Sequence, residues 1–124
     1  MDKKILIIED EESVTYSMDI KFGLIPDLKI FHAKNGEDGL KIALKEKPDL
    51  IILDIIMPKM DGIEMLKQLR QDSWGKNTDV MVLSNLSNQD KESEAKNLGV
   101  KDYIIKANYN LNDIMDRVIN NLKK

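Results

Sequence analysis

The chain of 124 residues has no cysteine, one histidine, one tryptophan, three prolines and only 5% aromatic residues. Without cysteine there is no disulfide, no thiolate metal site and no thiol nucleophile. No apolar run approaches the roughly 20 residues a membrane span needs, so no membrane partner is expected. The start, Met1-Asp2-Lys3-Lys4, leads straight into a short strand-like run and lacks the apolar core and cleavage site of a signal peptide. The expected location is therefore cytoplasmic. A basic tract is also missing and the formal charge is -3, so there is no footprint for a phosphate backbone and no direct binding of nucleic acid is expected.

What is present is a globular composition, 42% hydrophobic and 33% charged. The length suits one domain covering 1–124, with no effector domain in this chain. Its organising stretch is Leu50-Ile51-Ile52-Leu53-Asp54. Four aliphatic residues in a row read as a strand covered on both faces, as in a parallel sheet. An aspartate at the end of such a strand is costly to bury without a partner. It stands where open parallel sheets bind ligands, at the carboxyl ends of the strands.

The rest of the chain alternates around it. Lys4–Ile8 reads as a first strand, followed by the acids Glu9-Asp10-Glu11-Glu12. Val14, Met18 and Phe22 then mark one helix face. Leu28–Ala33 reads as a second strand, and Leu40, Ala43 and Leu44 line a second helix that Pro48 ends. After the Asp54 strand, Ile63, Met65, Leu66 and Leu69 line a third helix. Val80–Leu83 reads as a strand ending in Ser84, and Asn88–Leu98 as a helix with little apolar face beyond Ala95 and Leu98. Gly99 is placed to terminate it. Asp102–Ile105 is a fifth strand ending in Lys106, and Leu111, Ile114, Met115, Val118, Ile119 and Leu122 form a strong helical stripe. Five alternations predict an α/β fold, a parallel sheet with helices on both faces.

In such a sheet Glu9, Asp10, Asp54, Ser84 and Lys106 all fall on one edge. Carboxylates gathered there repel one another unless something intervenes. Mg2+ relieves this, since it prefers oxygen ligands and keeps several waters. Lys106 adds a positive charge able to pair with Asp54, and Ser84 adds a hydroxyl. Cation, ammonium and hydroxyl together would neutralise a phosphoryl group, with Asp54 as the nucleophile that forms an aspartyl phosphate.

The ordered set Glu9-Asp10, Asp54, Met57-Pro58, Asp61-Gly62, Ser84, Tyr103 and Lys106 resembles the receiver domain of two-component response regulators. The likeness runs over essentially the whole chain. It implies a flavodoxin-like (βα)5 fold, a five-stranded parallel sheet of order 2-1-3-4-5. It implies Asp54 as phosphoacceptor, Asp10 and Asp54 as direct Mg2+ ligands, Glu9 as a ligand through water, and the backbone carbonyl of Ile56 as a further ligand. Ser84 corresponds to the switch hydroxyl, Tyr103 to the switch aromatic and Lys106 to the lysine that contacts the phosphoryl group. The implied donor is a sensor histidine kinase or a histidine phosphotransfer protein. The implied output is a change in the face made by helix four, strand five and helix five, which acts on a downstream protein target as a monomer or weak dimer. Such a domain is a phospho-switch and not an enzyme beyond self-catalysed phosphorylation and dephosphorylation.

Three positions depart from the family pattern. Ala107 follows Lys106 where proline is usual; a cis bond before a non-proline residue costs about 3–4 kcal/mol, so a trans bond is expected. Asn85 follows Ser84 where a smaller residue is usual and would crowd the phosphoryl entrance. Ile56 and Leu86 stand where polar residues influence an attacking water, which predicts slow self-dephosphorylation.

Other functions fit less well. An aspartyl-phosphate phosphohydrolase places a second aspartate two residues after the nucleophile as general acid, and here that residue is Ile56. A dinucleotide binder needs a glycine-rich first loop, and here that loop is acidic. A degenerate receiver that acts without phosphorylation is the remaining alternative. Glu11 and Glu12 read as favourable charges at a helix N-terminus, His32 as a structural residue, Met57, Met60 and Met65 as packing, Trp74 as a cap on the core, and Asp61-Gly62 as a turn and helix start.

Overall fold

The protein is described by a computed structural model covering residues 2–57, 59–85, 89–108 and 110–123, without the side chain of Asn108. Pro58, Leu86 and Asn88 lie outside the described residues. Five strands, β1 (Lys3–Ile8), β2 (Leu28–Ala33), β3 (Leu50–Leu53), β4 (Val80–Ser84) and β5 (Asp102–Ile105), alternate with five helices. These are α1 (Glu12–Phe22), α2 (Gly36–Glu46), α3 (Gly62–Gln71), α4 (Gln89–Asn97) and α5 (Leu111–Leu122). Short 3-10 turns at Gly75–Asn77 and Lys106–Asn108 complete the order. Every strand pair is parallel and the sheet order is β2-β1-β3-β4-β5, as expected.

Two hydrocarbon layers explain why the central strands are apolar at every position. Side chains alternate across a strand with period two. Leu6, Ile8, Ile51, Leu53, Val80 and Val82 face one layer, with Ala43 of α2, Leu66 and Leu69 of α3 and Ala95 of α4. Ile5, Ile7, Leu50, Ile52, Met81 and Leu83 face the other, with Val14, Met18 and Phe22 of α1 and Ile114, Val118 and Leu122 of α5. Met57 and Met65 are buried in the first layer, and Met60 and Trp74 pack against it, which accords with the packing roles read for them. Leu44 departs from the expected core face of α2, being 38% exposed.

The helix ends follow from their residues. Asn35, Asp61 and Asn110 each accept backbone N–H groups at the starts of α2, α3 and α5, filling donors that a first turn leaves open. Gly99 adopts a φ of 86° after α4, a left-handed conformation glycine takes without steric cost. The described residues contain no cis peptide bond, so Lys106–Ala107 is trans, and the chain leaves β5 through the 3-10 turn.

Candidate functional site: a buried lysine among carboxylates

The carboxyl ends of β1, β3, β4 and β5 gather a small group of charged and polar side chains. Glu9 directly follows β1 and its N–H donates to Ala33 O at 2.9 Å. Asp54 directly follows β3 and its N–H donates to Ile8 O at 3.0 Å. The backbone thus carries the ladder one residue beyond each strand and draws both side chains to the rim. Glu9, Asp54, Ser84 and Lys106 are all buried. Behind Asp54, Gly62 sits where a Cβ would lie 2.6 Å from Asp54 O. Its N–H donates to Ile55 O at 2.9 Å. Only glycine lets α3 start this close to the β3 end.

Lys106 is the centre of the group. Its Nζ lies 2.6 Å from Glu9 Oε1, 2.8 Å from Glu11 Oε1 and 3.2 Å from Asp54 Oδ2. The expected pairing of Lys106 with Asp54 is present, although Lys106 opens the 3-10 turn instead of closing β5. Asp54 Oδ1 accepts the N–H of Ile56 at 3.2 Å, and Glu9 Oε2 accepts the N–H of Glu11 at 3.0 Å. Burial pushes the Glu9 carboxyl up to about 7, against the pull of the Lys106 hydrogen bond. Burial acts to lower the Lys106 ammonium, but hydrogen bonds to Glu11 and Glu9 and the charge of Asp54 outweigh it and raise the value.

Glu9, Glu11 and Asp54 place carboxylate oxygens within 4.8 Å of one another, the one such cluster among the described residues. All are hard oxygen donors, which suits Mg2+. Asp10, by contrast, is exposed and outside that cluster. Glu11 differs from its expected role. It stands at the N-cap of α1 but makes no side-chain cap bond, and its carboxylate turns to Lys106 and accepts from Asn85 Nδ2 at 3.4 Å. Helix-dipole reasoning accounted for an acid at that position and hid this reach. The signal that finds it is the buried cation: an ammonium with three donors needs more acceptors than Asp54 alone.

Ser84 ends β4 with its side chain fully enclosed. Tyr103 on β5 is half-buried and packs against the layer shared with α3 and α4. Its hydroxyl is raised by burial and then by the charges of Glu92 on α4 and Asp54, so the ring stands in the electrostatic field of both helix and site. The Ile56 side chain is 56% exposed. Asn85 is exposed beside Ser84, and Leu86 is outside the described residues. His32 pairs with Asp19 at 2.7 Å, which agrees with a structural role, although it shares a surface groove with Glu9, Glu12, Tyr16 and Lys34.

The chain is 38% identical over 109 residues to the alkaline phosphatase synthesis transcriptional regulatory protein PhoP of Bacillus subtilis, covering 86% of this chain and 43% of PhoP. It is 33% identical over 118 residues to sporulation initiation phosphotransferase F of the same organism, covering 95% and 92%. Among solved structures, the Francisella response regulator 1452 receiver domain superposes with a TM-score of 0.85 at 28% identity, covering 98% of this chain and 97% of that one. A CheY-like receiver domain protein from Methanospirillum hungatei JF-1 shares the fold with a TM-score of 0.89 at 21% identity, covering 99% and 95%. The chain spans 43% of the length of PhoP and 42% of the probable transcriptional regulator ycf27 of Porphyridium aerugineum. A family model described as response regulator receiver domain matches residues 5–119, and the chain belongs to that family, the receiver domains of two-component signalling.

Proposed function

We propose that this receiver domain accepts a phosphoryl group on Asp54 and converts its arrival into a change of the face formed by α4, β5 and α5. The observation that carries the reading is the buried Asp54 carboxylate, joined to the Lys106 ammonium at 3.2 Å on the edge where Glu9 also lies. Receiver domains are signalling switches that interact with histidine kinases or phosphotransfer proteins and with downstream targets. The proposed donor is therefore a phosphohistidine of a sensor kinase or a phosphotransfer protein. An Asp54 oxygen attacks phosphorus, the O–P bond forms, the N–P bond breaks, and the donor imidazole keeps the electron pair.

Receiver domains bind Mg2+ in an acidic pocket, and the donor set here fits that ion. Asp54 directly, Glu9 through water and the Ile56 carbonyl are the groups that would hold it; Asp10, the other expected direct ligand, is exposed and outside the carboxylate cluster and would have to turn inward to join them. When bound, Mg2+ supplies positive charge against the phosphoryl oxygens. Lys106, paired with Asp54 at 3.2 Å, would supply a fixed cation to the phosphoryl oxygens, and Ser84 a hydroxyl from the end of β4. Tyr103 is the proposed aromatic reporter between site and α4. Ile56 has no proton to give to a leaving group, which disfavours a phosphohydrolase.

Intact mass after incubation with acetyl phosphate and Mg2+ tests the reading. One phosphoryl adduct on the wild type and none on Asp54→Ala supports it; no adduct on the wild type overturns it and leaves the phosphorylation-independent receiver. With isoleucine beside the acceptor, the adduct is expected to persist well beyond seconds in Mg2+ buffer, followed by the same mass measurement over time.

A further inference from the structure

Lys106 Nζ has three N–H bonds to give, and Glu9, Glu11 and Asp54 are positioned to take all three. A phosphoryl group on Asp54 needs one of them. Asp54 is the reacting group and keeps its place. Glu9 is 4% exposed at its side chain and is further held by the Glu11 N–H; releasing it would strand a buried acceptor. Glu11 is 47% exposed at its side chain, so water replaces Lys106 as its partner at small cost. The same oxygen, Glu11 Oε1, also holds the Asn85 amide. One carboxylate thus spans from the β1 end to the β4 and β5 ends, across the mouth above Asp54.

We propose that Glu11 is a displaceable latch: in the unphosphorylated domain it holds the Lys106 ammonium and the Asn85 amide, and its departure frees both for the phosphoryl group. Glu11 is then a positioning residue, acting through Lys106 and Asn85. Its departure also removes a negative charge from the path of an incoming phosphate, and it uncouples the chain after β4 from the chain after β1. The latch rests on the phosphoacceptor reading of Asp54.

The experiment compares wild type, Glu11→Gln and Glu11→Asp in the full chain, with acetyl phosphate as donor and Mg2+ varied to saturation. Glu11→Gln removes the charge at constant shape, and Glu11→Asp keeps the charge but shortens the reach. Both variants are expected to form the adduct roughly two- to fivefold faster than wild type, the range set by freeing a half-exposed ion pair. In metal-free protein, the Asn85 side-chain amide resonance is expected to move in both. Equal or slower rates in both variants, with a wild-type adduct present, overturn the latch and leave the phosphoacceptor reading standing. A faster Glu11→Gln beside an unchanged Glu11→Asp also overturns it, because the effect is then charge alone. A raised Mg2+ requirement in Glu11→Gln without a gain at saturation overturns it in favour of Glu11 as a metal ligand. No adduct on any of the three proteins removes the phosphoacceptor reading, and the latch with it. Thermal unfolding of each variant establishes that all three are folded.

Discussion

Helices α4 and α5 pack on opposite layers of one sheet and are held by different forces. α5 buries Ile114, Val118 and Leu122, with Leu111, Met115 and Ile119 packed beside them. α4 buries only Ala95 among the described residues. What holds α4 is mostly polar: Lys67 on α3 lies 3.3 Å from Glu94, and Arg70 Nε donates to Leu98 O at 2.7 Å. Hydrocarbon burial gives no cheap alternative position, because the vacated space must be refilled. Exposed ion pairs exchange for water at little cost. The difference makes α4, next to the Tyr103 ring and the end of β4, the helix expected to shift at lower cost than α5.

The largest test of that contrast is truncation on each helix. Ile114→Ala is expected to lower the unfolding free energy by about 2–5 kcal/mol, measured by urea titration. Alanine at Glu92 or Ser93 on α4 is expected to change it by less than about 0.5 kcal/mol. Amide hydrogen exchange should follow the same order, with α5 opening near the global free energy and α4 well below it. Comparable protection in the two helices would break the comparison.

A second test separates both helices from the rim beneath them. The folded Glu9 carboxyl is pushed up to about 7 from an ordinary 4.5. Between those values the folded state holds a proton that the unfolded state has lost, so stability falls as pH rises from about 4.5 to 7. In metal-free protein this window contributes on the order of 3 kcal/mol, and Glu9→Gln should flatten it. The raised Lys106 value acts only above its ordinary range and leaves this window alone. The slope should be the same whether α4 or α5 carries a substitution.

The fold was legible because its rule is simple: apolar runs at every position for central strands, helical stripes between them, and turn residues where the chain reverses. α4 was legible only as a thin helix, and in the fold it buries only Ala95 among the described residues. At the site, Asp54, Glu9 and Lys106 were readable because each ends or directly follows a strand, and parallel strands bring such residues to one edge. The direction of the neighbouring acids was not readable. Asp10 and Glu11 are adjacent on a loop, and the backbone decides which one faces Lys106. Asn85 read as an obstruction at the mouth, and only the structure shows its amide against Glu11. Arg70 also escaped notice, since an arginine in the last turn of a helix satisfies the dipole argument on its own. In the fold it donates to the carbonyls of Gly75, Thr78 and Leu98 and ties α3 to the end of α4.

That tie supplies the next prediction in size. Arg70→Met keeps much of the side-chain volume and removes donors to three carbonyls. It is expected to cost roughly 1–2 kcal/mol and to raise hydrogen exchange at the C-terminal end of α4 more than anywhere in α5.

The smallest effect is the sharpest on mechanism. Lys67 and Glu94 are 49% and 36% exposed at their side chains, so their pairing is worth at most about 1 kcal/mol and is screened by salt. Raising the salt from low to roughly 1 M, where the screening length falls to about 3 Å, should increase exchange in α4 while leaving α5 unchanged. Lys67→Met should reduce that salt response, the remainder coming from the Lys91–Glu94 and Lys96–Glu92 pairs within α4. If α4 exchange ignored salt in the wild type, the Arg70 tie and the Ala95 contact alone would position the helix. A shift of α4 would then need the guanidinium to release Leu98 O, a far larger barrier than the loss of a surface pair.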